Sequence, residues 1–112
     1  MATLNPTKYP NNARVISGLS NAVLQDDVIF LCDTSTAAVS IDLAKVVAGK
    51  WSTTYRLYVI DNSDNAGDNN ITINAPDGYK INNATSLVLS QSGAGALIQI
   101  IEDTNYVASL NI

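Results

Sequence analysis

Short segments rich in β-branched residues alternate with turns rich in Asn, Asp and Gly through the second half of the chain. Within several segments apolar and polar residues alternate, as in Ile71-Thr-Ile-Asn74, which is typical of strands with one buried face. A strand roughly every ten residues predicts an all-β fold, namely a compact antiparallel β-sandwich or jelly-roll-like barrel. The strand candidates in this half are Tyr55–Ile60, Ile71–Asn74, Tyr79–Asn82, Leu87–Leu89, Leu97–Ile101 and Asn105–Leu110.

The first residues differ from this pattern. Residues 1–26 contain Pro6 and Pro10, which fix φ and remove backbone donors, so an extended N-terminal arm is predicted. The β-sandwich or barrel domain is expected to span residues 27–112. Leu4, Tyr9 and Ile16 are the predicted partner-docking anchors of the arm, and a frayed terminus is the alternative.

The predicted core follows the apolar positions of the strands. Cys32 lies in the apolar run Val28–Cys32 and is predicted to be a small buried residue. The run is apolar at every position, so a strand covered on both faces is expected there. The remaining predicted core residues are Ile29, Leu31, Val39, Ile41, Leu43, Leu57, Val59, Ile71, Ile73, Ile81, Leu87, Leu89, Ile98, Ile100 and Val107.

Composition excludes several classes of function. The chain has no His and one Cys, and no acid–base constellation is visible, so we expect no enzyme and no cofactor. Its net charge is −4 and its six basic residues are scattered, which argues against binding to nucleic acid. No apolar stretch approaches the roughly 18 residues of a membrane span. The N-terminus lacks the pattern of a cleaved signal peptide.

The segment Asp61–Asn70 is the one candidate cation site. Asp61, Ser63, Asn65 and Asp68 carry oxygen atoms of the kind that Ca²⁺ prefers. Asn and Asp are also the usual residues of tight turns, where their side chains bind nearby backbone. The turn interpretation is favoured, because an EF-hand calcium loop needs Gly at its sixth position and Glu at its twelfth, where this chain has Ala66 and Thr72.

Aromatic side chains suggest a second kind of site. Trp51, Tyr58 and Tyr79 are candidate ligand-facing residues, since exposed aromatic rings form platforms for sugars. The alternative is that these rings are buried in the core or at an interface between subunits.

Several short motifs follow one another over about residues 27–110. They are Leu31-Cys-Asp-Thr34, Val39-Ser-Ile-Asp-Leu43, Tyr55-Arg-Leu-Tyr-Val-Ile-Asp61, Asn70-Ile-Thr-Ile-Asn74, Gly78-Tyr-Lys-Ile-Asn-Asn-Ala84 and Glu102-Asp-Thr-Asn-Tyr106. Taken in this order, they resemble a family of bacteriophage virion β-domains found in tail fibres, head fibres, spikes and capsid decorations. Asn83 and Tyr106 stand where the family usually has Gly and Trp.

The resemblance implies a non-enzymatic virion structural protein that assembles as a homotrimer. Its expected partners are other copies of itself and a capsid, vertex or other virion protein, to which the N-terminal arm would anchor it. The expected location is the virion, after synthesis in the host cytoplasm. The alternative is a module of a phage fibre that binds a host surface receptor or glycan.

Overall fold

Ten β-strands make up the regular structure of the part that the computed structural model describes, residues 13–23, 29–43, 56–102 and 104–111. They form a six-stranded sheet in the order β1-β3-β5-β9-β10-β7 and a four-stranded sheet in the order β2-β4-β6-β8. The strands are β1 (Ala13–Ile16), β2 (Asn21–Ala22), β3 (Ile29–Cys32), β4 (Val39–Asp42), β5 (Arg56–Asp61), β6 (Ile71–Asn74), β7 (Lys80–Ile81), β8 (Ser86–Leu89), β9 (Gly95–Glu102) and β10 (Asn105–Asn111).

The first six strands wind through the two sheets alternately. Odd-numbered strands β1, β3 and β5 pair in parallel in one sheet, and β2, β4 and β6 pair in parallel in the other. The chain therefore completes three coils, each adding one strand to both sheets. β8 and β9 then join antiparallel to β6 and β5, β10 pairs antiparallel with β9, and β7 lies parallel to β10.

The all-β prediction is confirmed for the described residues, and the two sheets around one core fit a β-sandwich. The prediction of an antiparallel arrangement is wrong, because both sheets are mixed. Alternation along a strand reports which face is buried but carries no information on the direction of the neighbouring strand.

One hydrophobic core lies between the sheets. Eleven of the predicted core residues are buried: Cys32, Val39, Ile41, Leu43, Leu57, Val59, Ile71, Ile73, Ile81, Leu89 and Ile98. Leu87 is partly buried against this core, and the side chain of Ile100 lies outside the described set.

Two strands have the opposite inward face from the one predicted. In β3, Phe30 and Cys32 are fully buried, whereas Ile29 and Leu31 are partly exposed. In β10, Tyr106 and Ala108 are buried, whereas Val107 is partly exposed. An all-apolar strand gives no signal for its inward face, so the register is set by its neighbour: Phe30 lies opposite the buried Val59.

The first coil corrects the prediction of an N-terminal arm. β1 and β2 pair within the sheets, and Ile16 is only 3% exposed in the shared core. Arg14 extends over the Phe30 ring, with its guanidinium carbon 4.9 Å from the ring centroid, and donates a 2.9 Å hydrogen bond to the carbonyl of Ala22. Residues 13–23 therefore belong to the same fold as the rest, and Ile16 is a core residue rather than a docking anchor.

A tight two-residue turn follows β7. Asn82 and Asn83 both have positive φ, 49° and 66°, and Ile81 and Ala84 exchange two backbone hydrogen bonds across them. These features are those of a two-residue hairpin, in which Gly or Asn is favoured. Asn83 can therefore hold its positive φ at little cost.

Asn82 has a second role, since its side-chain amide extends the sheet. Its Oδ1 accepts from the Ala108 N–H at 3.0 Å, and its Nδ2 donates to the Ala108 carbonyl at 3.1 Å. Its own backbone N–H donates to the carbonyl of Tyr106. The side chain thus satisfies both backbone groups of the buried Ala108 where β7 has already ended.

Comparing Asn82→Ala with Asn83→Ala separates these two roles. Both variants place Ala at a positive φ, which costs about 1–2 kcal/mol. Asn82→Ala also leaves the backbone of Ala108 without partners, so we expect about 1–3 kcal/mol of additional destabilisation. Urea unfolding measures the difference in free energy, and equal losses for the two variants would show that the side-chain bonds of Asn82 contribute nothing.

Candidate functional site

The outward side of the six-stranded sheet is largely apolar. Register aligns Val15, Leu31 and Ile60 in one row across β1, β3 and β5. A second row runs from Ile29 through Tyr58 to Leu97. We call this surface the outer apolar face. Its members are Val15, Ile29, Leu31, Tyr58, Ile60, Leu97 and Val107.

Exposure and charge distinguish this face from the rest of the surface. Val15 is 47% exposed and Tyr58 is 41% exposed, while Ile60 also lies open to solvent. Arg56 is the charged residue of β5 on this side, in a row with Gln99 and Val107. Contiguous apolar surface on a soluble domain commonly marks an interaction site.

The outward side of the four-stranded sheet has the opposite character. Ser40 lies opposite Thr72, and Asp42 lies opposite Asn74, which donates to the Asp42 carboxylate at 3.1 Å. Val88 is the exposed apolar residue on this side, at 48%. The two outer sides of the fold are therefore chemically unequal, although both cover the same core.

The predicted site residues do not assemble into one site. Tyr58 lies on the outer apolar face, whereas Tyr79 packs against the core with its ring centroid 5.8 Å from that of Tyr106. β9 and β10 separate β5 from β7, so the two rings share no groove. Leu4, Tyr9 and Trp51 lie outside the described residues.

Sequence reasoning missed the outer apolar face, although a signal was present. Leu57, Tyr58, Val59 and Ile60 are consecutive non-polar residues in β5, and Ile29–Cys32 is continuous in the same way. A strand covered on one side alternates, whereas these two neighbouring strands are apolar on both sides. Two such strands paired side by side predict a sheet with two apolar faces.

A second feature, which we call the Asp61 junction, lies where β5 ends. The buried Asp61 carboxylate accepts hydrogen bonds from the Thr34 hydroxyl at 2.5 Å and from the backbone N–H groups of Ala66 and Gly93 at 2.9 Å each. The Thr34 carbonyl in turn accepts from the side-chain amides of Asn65 and Asn69. The junction thus joins the segment after β3, the loop after β5 and the connection before β9.

The charge state of Asp61 follows from these contacts. Burial alone would raise the pKa of its carboxyl, but the hydrogen bonds from Thr34, Gly93 and Ala66 outweigh it and hold the pKa below the ordinary value of 3.8. The pKa of the Cys32 thiol is shifted in the opposite direction. Burial, together with the negative charge of Asp61, raises the pKa of Cys32 to about 12, so this thiol stays protonated.

These contacts bear on the calcium prediction. The Asp61 carboxylate faces N–H and O–H donors. Their partial positive charges stabilise it, as a bound cation would. Ser63 donates to Asp33, and Asn65 donates to the carbonyl of Thr34. Among the described residues, no three His, Cys, Asp or Glu side chains group as metal ligands. The arrangement fits the favoured turn interpretation, and the alternative of calcium binding, which stays untested, would require this loop to rearrange.

Residues of separate sequence motifs contact one another in the fold. Thr34, from Leu31–Thr34, bonds to Asp61, from Tyr55–Asp61, and Asn82 bonds to the backbone of Tyr106. Tyr106 is fully buried, and burial beside Tyr79 raises the pKa of its phenol to about 12. These motif residues therefore serve the framework of the fold rather than an open cleft.

Comparison with family models and with curated proteins found no match to this chain. The phage-family resemblance consequently remains an interpretation of the motifs. No helix long and apolar enough to cross a bilayer occurs in the described ranges.

Acid titration tests the Asp61 junction. Because the folded-state pKa of Asp61 lies below its unfolded value, its stabilisation is complete above the unfolded pKa and is lost as the pH falls through the folded pKa. We expect Asp61→Asn to cost about 1–3 kcal/mol at neutral pH and to reduce the fall in stability below about pH 4. Asp61→Leu should cost more, because the donors from Thr34, Ala66 and Gly93 then lack an acceptor.

Asp64→Asn is the matched control, since Asp64 lies in the same loop but is exposed, and Asn tolerates its φ of 58°. Unfolding followed by circular dichroism from acid to neutral pH gives the comparison. If Asp61→Asn retains the acid dependence of the original protein, other carboxyl groups account for that dependence.

Proposed function

We propose that this chain is a non-enzymatic structural protein of a bacteriophage virion, of the capsid-decoration, spike or head-fibre type. The single observation that supports a structural role most strongly is the outer apolar face, which suits packing against protein better than turnover of a small substrate. The buried polar groups that lie together, Asp61 and Thr34, are occupied by hydrogen bonds that hold loops. The phage setting rests on the ordered motifs alone.

A homotrimer is the proposed assembly. The family resemblance supports the number, and the distribution of charge supports self-association in general. Charged residues are 14% of the chain, well below the roughly 25% of average domains, so copies can meet with few charges to desolvate. Capsid, vertex or other virion proteins are the proposed partners beyond the trimer.

The receptor- or glycan-binding alternative has less support. It calls for aromatic rings gathered in a groove open to solvent, whereas Tyr58 and Tyr79 lie on opposite sides of the six-stranded sheet. Trp51, the third ring proposed for such a groove, falls outside the described residues. The separation of the two tyrosines therefore favours the structural role.

Locating the chain in particles tests the proposal. We expect mass spectrometry of purified particles of the encoding phage to detect the chain at a fixed copy number, and cryo-electron microscopy to place it in groups of three on the exterior. Light scattering on the purified chain should give a trimeric mass. Absence of the chain from washed particles would refute the virion role, and isolated single copies would refute the trimer.

Anchoring by the N-terminal residues is tested by two truncations. Leu4 and Tyr9 remain the proposed anchors, since both precede β1. Deleting residues 1–10 should preserve the fold and abolish incorporation into particles. Deleting residues 1–20 removes β1 and Ile16 and should also lower the free energy of unfolding, by about 2–5 kcal/mol for the lost apolar burial. Normal incorporation of the shorter deletion would show that these residues do not anchor the protein.

A further inference from the structure

The outer apolar face lacks acidic residues at its described positions, although the chain carries ten acidic and six basic residues. Asp61 is buried, Asp42 lies on the four-stranded sheet, Asp64 and Asp68 lie in the loop after β5, and Asp77 lies between β6 and β7. Asp33 directly follows β3 at the end of the face, where its carboxylate accepts hydrogen bonds from Ser35 and Ser63. Two copies of the chain have the same net charge of −4 and repel each other at a distance. The apolar rows let them approach with Asp33 as the described carboxylate nearest to the contact.

The size of the face sets how strong such a contact can be. Strands lie about 4.8 Å apart and rise about 3.3 Å per residue. The face lies on β1, β3, β5, β9 and β10, and β1 and β3 have 4 residues each. Five strands of that length cover roughly 19 by 13 Å, or about 250 Å². A stable interface buries about 800 Å² on each partner. The face therefore provides about a third of this area, and residues at its rim must add the rest. A second copy matches this footprint because it brings a face of the same size and character.

We propose that a second copy of this chain covers the outer apolar face, with Val15, Tyr58 and Ile60 as the central contacts. The inference rests on the proposed function in that both involve self-assembly, but it names the surface and can fail separately. The polar outer side of the four-stranded sheet then stays in solvent or faces other partners. Arg56 lies beside the apolar rows and reaches the rim, where a guanidinium remains hydrated.

The test uses two substitutions within the face and one matched control. Val15→Lys and Ile60→Lys place an unpaired ammonium in the proposed contact. Val88→Lys makes the same change as Val15→Lys at nearly equal exposure, 48% against 47%, on the other sheet. Sedimentation velocity across a range of concentrations measures self-association of the full chain, and urea unfolding verifies that each variant is folded.

We expect the original chain to associate as its concentration rises. Val15→Lys and Ile60→Lys should weaken association roughly tenfold or more, because a buried unpaired charge is costly, while Val88→Lys leaves it unchanged. A chain that stays monomeric throughout would overturn the proposal, and so would a greater effect of Val88→Lys than of Val15→Lys.

Hydrogen exchange on the unmodified chain measures the protection of backbone amides, so this test does not require any variant to fold. Amides of β1, β3 and β5 should gain protection between low and high concentration. If the face is already protected in the monomer, the chain's own remaining residues cover it and the proposal is wrong.

The two proposals fail in different ways. If the chain self-associates through this face but is absent from particles, the proposed virion function is refuted and the proposed interface is supported. If the chain is found in particles with its outer apolar face in solvent, the interface is refuted and the virion function is supported.

Discussion

The buried carboxylate of Asp61 must be surrounded by donors, and the arrangement of the loops at one end of the fold follows from that requirement. β5 is the strand at which parallel pairing with β3 gives way to antiparallel pairing with β9. Asp61 ends this strand and bonds to groups on both sides, Thr34 after β3 and Gly93 before β9. A charged group in a low-dielectric site is tolerated only with such partners. The junction therefore connects the coiled half of the chain to its antiparallel half.

The two sheets share one core but differ in their outer sides. Both contribute inward residues to one core, which defines the fold. Their outer sides differ, since one presents Val15, Tyr58 and Ile60 and the other presents Ser40, Thr72 and Asn74. A domain with one apolar and one polar outer side can pack against another protein through the apolar side while its polar side stays in solvent.

The sequence predicts some levels of this structure and not others. Alternation in Ile71–Asn74 correctly identifies a strand and its inward residues, because a half-buried strand needs period two. The same reasoning fails for β3. Ile29 and Leu31 are as apolar as Phe30 and Cys32, so the sequence does not show which pair faces the core. Strand direction is equally hidden, because Val39 and Ile71 pair in parallel across an intervening loop and strand in the other sheet.

The candidate sites show the same limit. The Asn- and Asp-rich composition of residues 61–70 predicts turns, but the inward orientation of Asp61 depends on Thr34 and Gly93, which are distant in sequence. The outer apolar face depends on β1, β3 and β5 lying side by side. Ile16 was assigned to an arm because Pro6 and Pro10 dominate the local pattern, whereas its burial depends on pairing with Cys32. A local sequence pattern does not predict contacts between segments that are distant along the chain.

The parallel coils also determine the order in which the chain can fold. Every parallel pair joins segments that are far apart along the chain, as Leu31 and Ile60 are, so each must close a long loop before any contact forms. β9 and β10, by contrast, form a hairpin whose pairing runs from Glu102–Asn105 to Gly95–Asn111. From loop closure alone we infer that this hairpin forms first, with β5 adding to it and the coils following towards the N-terminus. In that order the first coil, with its two edge strands, is the last part to fold and the first to open.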